Sequence, residues 1–289
     1  MHYEGNIFRP PSEANSILLQ VTCGCSHNKC TFCGMYKGTR FSIKDDAVIM
    51  ADIDFAAKHC RRQNRLFLCD GDVLNIPQKR LVAILGTIRE RLPWITRVGT
   101  YANTKSILRK SPEQLRELYD LGLTMAYMGL ESGDDETLRK INKGADSGRM
   151  IEMGRKIRAA GMKLSITVLL GIAGRERSDI HASETGRVLS AIDPEYVGAL
   201  SLMLTPGTPL YDAHRAGDFA LLGPSEMLRE LRTMFASTDL TDGYFHANHA
   251  SNYLPIKARL PQDKDAVLGL IDSALKGEQA LKPEYMRAL

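Results

Sequence analysis

Through the first two thirds of the chain, short β-type runs alternate with longer amphipathic runs, about one pair for every thirty-odd residues. No other feature constrains the fold as much, because a strand that feeds a helix and then a second strand returns the chain parallel to itself. Strand candidates are 17–22, 66–70, 97–102, 124–130, 164–171 and 196–204. Helix candidates between them are 45–63, 77–91, 112–121, 134–160 with a break near Gly144, and 178–192. Ser111-Pro112-Glu113 and Ser178-Asp179 read as helix starts, with an N-cap hydroxyl and Pro or acids in the first turn, while Gly122 and Gly161 stand where helices would stop. The expectation is an α/β fold of six parallel strands.

Composition decides only a few points. With 289 residues, 44% of them hydrophobic, the chain can bury a large core as one α/β barrel or two smaller domains, and no linker argues for two. No apolar run is long enough to cross a membrane, the Met1-His2-Tyr3-Glu4 start does not read as a signal peptide, and no tract is of low complexity, so a cytoplasmic protein is expected. The net charge of +4 is slight, and the basic residues are interspersed with acids, which argues against a nucleic-acid partner.

In parallel βα architectures the chemistry gathers at the C-terminal ends of the strands. Here the strand candidates are followed in turn by a cysteine loop, Asp70-Gly71-Asp72, Asn103-Thr104, Glu131-Ser132-Gly133, Gly171-Ile172-Ala173-Gly174 and Thr205-Pro206-Gly207. Each alone is an ordinary polar, Gly-rich loop; their agreement on one rim is the signal. The cysteine loop, Cys23-Gly24-Cys25-Ser26-His27-Asn28-Lys29-Cys30-Thr31-Phe32-Cys33, holds four of the six cysteines. Thiolates so close in a Gly-containing turn can converge on a soft metal centre. Four thiolates could close a structural zinc site, but such sites pair two separated knuckles, and no distant pair exists here. The other reading is a 4Fe-4S cluster held by three cysteines with one iron left open. Cys60 and Cys69 read as small buried hydrophobes.

From about residue 17 to 211 the order of these motifs resembles the radical S-adenosylmethionine (radical SAM) superfamily. Gly24-Cys25 and Phe32-Cys33 fit the family's cysteine loop, with four residues between Cys25 and Cys30 where three are usual and Cys23 as an extra thiol upstream. The resemblance implies a partial (β/α)6 TIM-like barrel over residues 1–211 and a C-terminal extension, 212–289, mainly helical at 224–235 and 262–276, that closes it. It implies one 4Fe-4S cluster on Cys25, Cys30 and Cys33, and SAM as second cofactor. In the family an electron from the reduced cluster breaks the sulfonium bond of SAM, and the resulting 5′-deoxyadenosyl radical abstracts hydrogen in a site kept free of water and oxygen. An electron donor such as flavodoxin or ferredoxin is then a partner. Asp70-Gly71-Asp72 stands where relatives hold the SAM amino group; Glu131-Ser132 resembles the element contacting the ribose or amino acid; Gly171 resembles the glycine passing the adenine; and Phe32 is the loop aromatic. Arg175 and Arg177 could pair with the SAM carboxylate but read more simply as solvated loop residues.

No cysteine follows Cys69, which excludes a cysteine-ligated auxiliary cluster. In the tail, Tyr244-Phe245-His246-Ala247-Asn248-His249-Ala250-Ser251-Asn252-Tyr253 gathers two His, two Asn and three aromatic rings, and His246 and His249 are its substrate-side candidates. The substrate itself does not follow from these residues. A small molecule is expected, with modification of RNA or a peptide as the alternative, and a zinc-stabilised binding protein as the alternative outside enzymes.

Overall fold

A computed structural model describes residues 1–288 of the chain. In order its elements are β1 (Ile17–Gln20), β2 (Thr22–Cys23), β3 (Ser42–Ile43), α1 (Asp46–His59), β4 (Arg65–Cys69), α2 (Gln78–Arg91), β5 (Arg97–Ala102), α3 (Thr104–Leu108), α4 (Pro112–Asp120), β6 (Leu123–Glu131), α5 (Asp135–Lys140), α6 (Ser147–Ala159), β7 (Lys163–Leu170), α7 (Gly174–Ile192), β8 (Tyr196–Ser201), α8 (Pro209–Ala216), α9 (Pro224–Ala236), β9 (Gly243–His246), β10 (Lys257–Leu260) and α10 (Lys264–Leu275). The chain divides into two compact units: residues 1–28, 35–128 and 155–164, and residues 29–34, 129–154 and 165 onward.

In the first unit β1, β4, β5 and the first part of β6 pair in parallel in that order, with Ile17 opposite Leu66, Arg65 opposite Arg97 and Val98 opposite Leu123. Leu66, Phe67, Leu68 and Cys69 are buried without alternation, as a strand covered on both faces must be. The Phe67 ring stands edge-on to Tyr101 at 5.1 Å and to Tyr127 at 5.8 Å. Helix α1 buries Ile49, Ile53 and Ala56, and α2 buries Leu81, Ile84, Leu85 and Ile88, each at helical spacing along one face. Full burial of each such side chain is worth about 1.5–3 kcal/mol. Ser111 caps α4 in a reciprocal box with Gln114, as the sequence predicts, and Gly122 ends the turn after it at φ +102°.

In the second unit β7, β8 and β9 run parallel, and β10 returns antiparallel to β9. Ile166 and Val168 alternate with half-buried neighbours along β7, and Phe245 of β9 packs edge-on to Phe235 of α9 at 5.0 Å. The expected helical break falls between α5 and α6, where Asn142 (φ +53°) and Gly144 (φ +79°) both turn left-handed.

Several elements depart from the sequence reading. Helix α7 begins at Gly174, and Ser178 lies inside it: its hydroxyl donates to Glu230 of α9 instead of capping a helix start. Strand β8 stops at Ser201, with Leu202 N donating the last ladder bond to Leu170 O at 2.8 Å. The tail carries two strands besides its helices, and half of its polar segment is β9. Among the described residues no helix is long and apolar enough to cross a membrane.

Candidate functional site

The first unit brings Cys25 together with the loop after β4. Gly71 packs so tightly that a Cβ there would lie 2.9 Å from Gly24 O, 2.9 Å from Tyr36 Cε2 and 3.1 Å from Cys25 Cβ. Asp70, 1% exposed, accepts from Gln20 Nε2 at 2.9 Å, Tyr36 OH at 3.3 Å and Phe8 N at 3.5 Å, while its own N–H donates to Thr22 Oγ1 at 3.1 Å. Burial pushes the Asp70 carboxyl above its ordinary value, against the lowering effect of those hydrogen bonds. The peptide between Cys69 and Asp70 is cis. Asp72, also buried, accepts the Ser26 hydroxyl on Oδ2, and its Oδ1 has no hydrogen-bond partner.

Cys23 and Cys69 stand apart from this contact. Cys23 is buried in β2 with Sγ 3.5 Å from Glu4 Oε2, and burial with the Glu4 charge pushes its thiol up to about 11. Cys69 is fully buried and its thiol faces Phe67 O at 3.6 Å; burial, then the Asp70 charge, raises it well above the usual thiol range.

The second unit holds Cys30 and Cys33 in a strip, residues 29–34, fixed from two sides. Thr31 N donates to Ile141 O at 2.9 Å, Thr31 O accepts from Leu210 N at 3.0 Å, and Asn142 Nδ2 donates to Lys29 O at 3.2 Å. The Phe32 ring packs on the apolar cluster of Leu138, Ile141, Ile172, Leu202 and Leu210. At the end of β6, Glu131 adopts φ +66°, a left-handed conformation that an L residue holds only when its surroundings demand it. Its carboxylate meets Lys143 Nζ at 2.9 Å. Burial works to lower the Lys143 ammonium, but Glu131, Cys30 and Cys33 together hold it above the ordinary lysine value.

Ser132, next along, is tied into a buried network. Its Oγ accepts Asp134 N at 3.1 Å and lies 2.8 Å from His181 Nδ1, and Thr185 Oγ1, which accepts Gly133 N, lies 3.3 Å from the same nitrogen. On the far side His181 Nε2 faces Glu230 Oε1 at 3.5 Å, and that oxygen accepts Gly171 N at 2.5 Å. Gly171 has φ +81°, and the space a Cβ would take there is filled by the Met227 side chain. The end of the Met227 side chain, from α9, packs against Gly171. Arg177 holds Asp134 through two bonds of 2.8 Å and Arg175 pairs with Glu226 at 2.7 Å, so neither is a loosely solvated loop residue. In the tail, His249 Nδ1 lies 2.9 Å from Ser251 Oγ, which accepts Ser201 N from the end of β8; His246 sits on β9 with its ring 6.0 Å from that of Tyr244. Burial, then Lys257 for His246 and Lys282 for His249, lowers both imidazoles below the ordinary value.

Sequence reasoning missed Gln20, Ser26, Tyr36, Lys143, His181 and Glu230. Only Gln20 carried a signal, as the one polar residue in the run Ile17-Leu18-Leu19-Gln20-Val21.

The Radical SAM superfamily model matches residues 19–184, more than half of the chain. Solved structures share its fold: methylornithine synthase (TM-score 0.54, 18% identity, covering 78% of this chain and 63% of that one), the radical SAM methyltransferase TsrM of Kitasatospora setae with cobalamin and a 4Fe-4S cluster bound (0.55, 19%, 68% and 38%), and the coproporphyrinogen III oxidase HemN of Escherichia coli (0.56, 14%, 76% and 51%). An uncharacterized protein of Methanocaldococcus jannaschii is 25% identical over 116 residues, 40% of this chain and 34% of that one. The chain spans about a third of that relative and 63% of the synthase. This chain belongs to the radical SAM superfamily, whose members use a 4Fe-4S cluster with SAM. The residues present fit those groups. The loop after β4 is pressed onto Cys25, a fully buried acid oxygen of Asp72 has no donor, and the turn that carries Lys143 is hydrogen-bonded to the peptide on both sides of Cys30.

Proposed function

We propose that this enzyme abstracts hydrogen from a small-molecule substrate, with the cluster on Cys25, Cys30 and Cys33, three thiolates within nine residues of one loop. When bound, the cluster and SAM supply one-electron cleavage of the sulfonium bond. In this reading Asp72, with the backbone at Gly71, receives the ammonium end of SAM, and Asp70 braces that loop through Gln20 and Tyr36. Glu131, already neutralised by Lys143, accepts hydrogen bonds from ribose hydroxyls, and Ser132 holds the turn that presents it. Phe32 keeps the cysteine strip seated on apolar side chains and so keeps water away from Cys30 and Cys33. His246 and His249, both disposed to be neutral, stand on the substrate side, where a neutral imidazole can hydrogen-bond a substrate without placing a charge near it. A flavodoxin or ferredoxin in a reducing cytoplasm is the proposed electron source.

The observation that carries this reading is the contact of Gly71 with Gly24 and Cys25, which joins an acid-bearing loop to the cysteine loop without space for one methyl group. Anaerobic reconstitution tests it: about four irons and sulfides per chain, an EPR signal of the reduced protein that changes on adding SAM, and 5′-deoxyadenosine by chromatography are expected. Protein that holds zinc, no iron, and leaves SAM intact would refute it.

A further inference from the structure

The turn that carries Lys143 is stitched to the peptide on both sides of Cys30. Ile141 O takes Thr31 N at 2.9 Å, and Asn142 Nδ2 reaches Lys29 O at 3.2 Å. From the other side the strip is closed in by Leu210 N on Thr31 O, and a Cβ on Gly34 would lie only 2.7 Å from Thr205 Cγ2. The strip therefore has little freedom to move away from the turn. The side chain of Lys143 is 17% exposed and that of Glu131 10%, and their charged ends meet at 2.9 Å. Gly129 makes room for this pair: a Cβ there would overlap the Glu131 carboxylate and lie 3.0 Å from Lys143 Nζ. Cys30 and Cys33 both favour the charged form of Lys143. An ammonium carried on a turn that is stitched to the peptide on both sides of Cys30 is held where its charge acts on the centre that this strip would carry.

We propose that Lys143, partnered by Glu131, is the charge-setting group of the iron-sulfur centre: it offsets the thiolate charge of Cys30 and Cys33 and makes the centre easier to reduce. The proposal rests on the ligand assignment above. Reduction adds one electron from an external donor and moves no proton, so the centre gains one negative charge, and a nearby cation in a poorly solvated setting favours that state. Glu131 opposes Lys143 from its other side and holds the effect in check.

The test compares wild type, Lys143→Met, Glu131→Gln and the double variant, each reconstituted anaerobically and titrated with dithionite under EPR without SAM, with iron and sulfide counted in each sample. Lys143→Met is expected to shift the reduction equilibrium at least tenfold toward the oxidised centre, 59 mV for one electron. Glu131→Gln is expected to shift it the opposite way. The double variant buries no lone charge and keeps the question answerable if Lys143→Met folds poorly; it should lie between Lys143→Met and wild type. Full iron with an unchanged potential in Lys143→Met or in the double variant overturns the proposal, as does a loss of SAM affinity with no change of potential, which would make Lys143 a ligand contact. Wild type without iron would instead show that the ligand assignment had failed.

Discussion

Replacing Gly71 with alanine places one methyl group in the contact between the loop after β4 and the cysteine loop. Ordinary contact begins at 3.4 Å, so Gly24 O must retreat by 0.5 Å (3.4 − 2.9) and Cys25 Cβ by 0.3 Å (3.4 − 3.1). Gly24 cannot retreat freely, because its own Cβ position already lies 3.2 Å from the backbone oxygens of Thr39 and Arg40. Overpacking of this kind costs about 1–3 kcal/mol. In a chain of this size each kcal/mol moves the melting temperature by about 2–4 °C, so a drop of about 2–12 °C is expected in the apo-protein by thermal circular dichroism. The same displacement falls on Cys25, and SAM affinity by equilibrium dialysis should weaken about 5- to 100-fold, tenfold for each 1.4 kcal/mol. Gly86 supplies the control. It lies within α2 with nothing within 4 Å of its Cβ position, so Gly86→Ala should stabilise by about 0.5–1 kcal/mol. A Gly71→Ala protein that melts within 1 °C of wild type (a difference of roughly the measurement error) and binds iron and SAM normally, beside a Gly86→Ala that behaves as stated, would show that the two loops are not packed as described.

Alanine at Cys25, Cys30 or Cys33 should abolish cluster binding, whereas Cys23→Ala should retain most of it; and since the Cys23 thiol is pushed up to about 11, only about 0.1% is thiolate at pH 8, so mass-mapped alkylation of the folded apo-protein should leave Cys23 unmodified. Fast labelling at Cys23, or cluster loss on its removal, would contradict its burial against Glu4. Glu230→Ala strands Gly171 N, leaves the Ser178 hydroxyl without its acceptor and removes the carboxylate facing His181, and a loss of about 1–3 kcal/mol is expected from urea midpoints. Burial would raise the Asp134 carboxyl, but Arg177 and Thr137 outweigh it and hold the carboxyl below its ordinary range. Its stabilising effect is thus present above the unfolded value of about 3.9 and lost as pH falls through the lower folded value. Arg177→Met should therefore be less stable than wild type at pH 7, with the gap in urea midpoints beginning to narrow only below about pH 4 and closing as pH falls through the depressed folded value of Asp134.

What could be read from the sequence was what local pattern determines. Strand β4 shows as a short apolar run because both its faces are covered, β7 and β8 show through alternation, and the cysteine loop shows because its cysteines are neighbours in the chain. Lys143 was hidden because its turn meets the cysteine strip only through tertiary structure, more than a hundred residues away in the chain, and the Asn142 and Gly144 of that turn signal nothing but a helix break. Ser178 misled because Ser-Asp is a sound local start signal, and a buried acid 52 residues later claims its hydroxyl. Strands β9 and β10 are four residues each, too short for alternation to stand out, and α3 has only five residues.

The acids of the two units differ in how they are compensated, and in the reading proposed above that difference decides which kind of group each acid suits. The hydrogen-bond donors to Asp70 are neutral: an amide side chain, a phenol and a backbone N–H. Asp72 takes one hydroxyl, and Lys110, whose charge it feels, gives its ammonium to Ile76 O at 2.8 Å. A buried carboxylate held this way is under-compensated and gains from an arriving cation, which suits an ammonium. Glu131 already has Lys143 at 2.9 Å and keeps only spare lone pairs to offer, which suits neutral hydroxyls. Under the proposed reading an ammonium at Glu131 would meet the Lys143 charge, and neutral hydroxyls at Asp72 would leave its buried charge without a counter-ion.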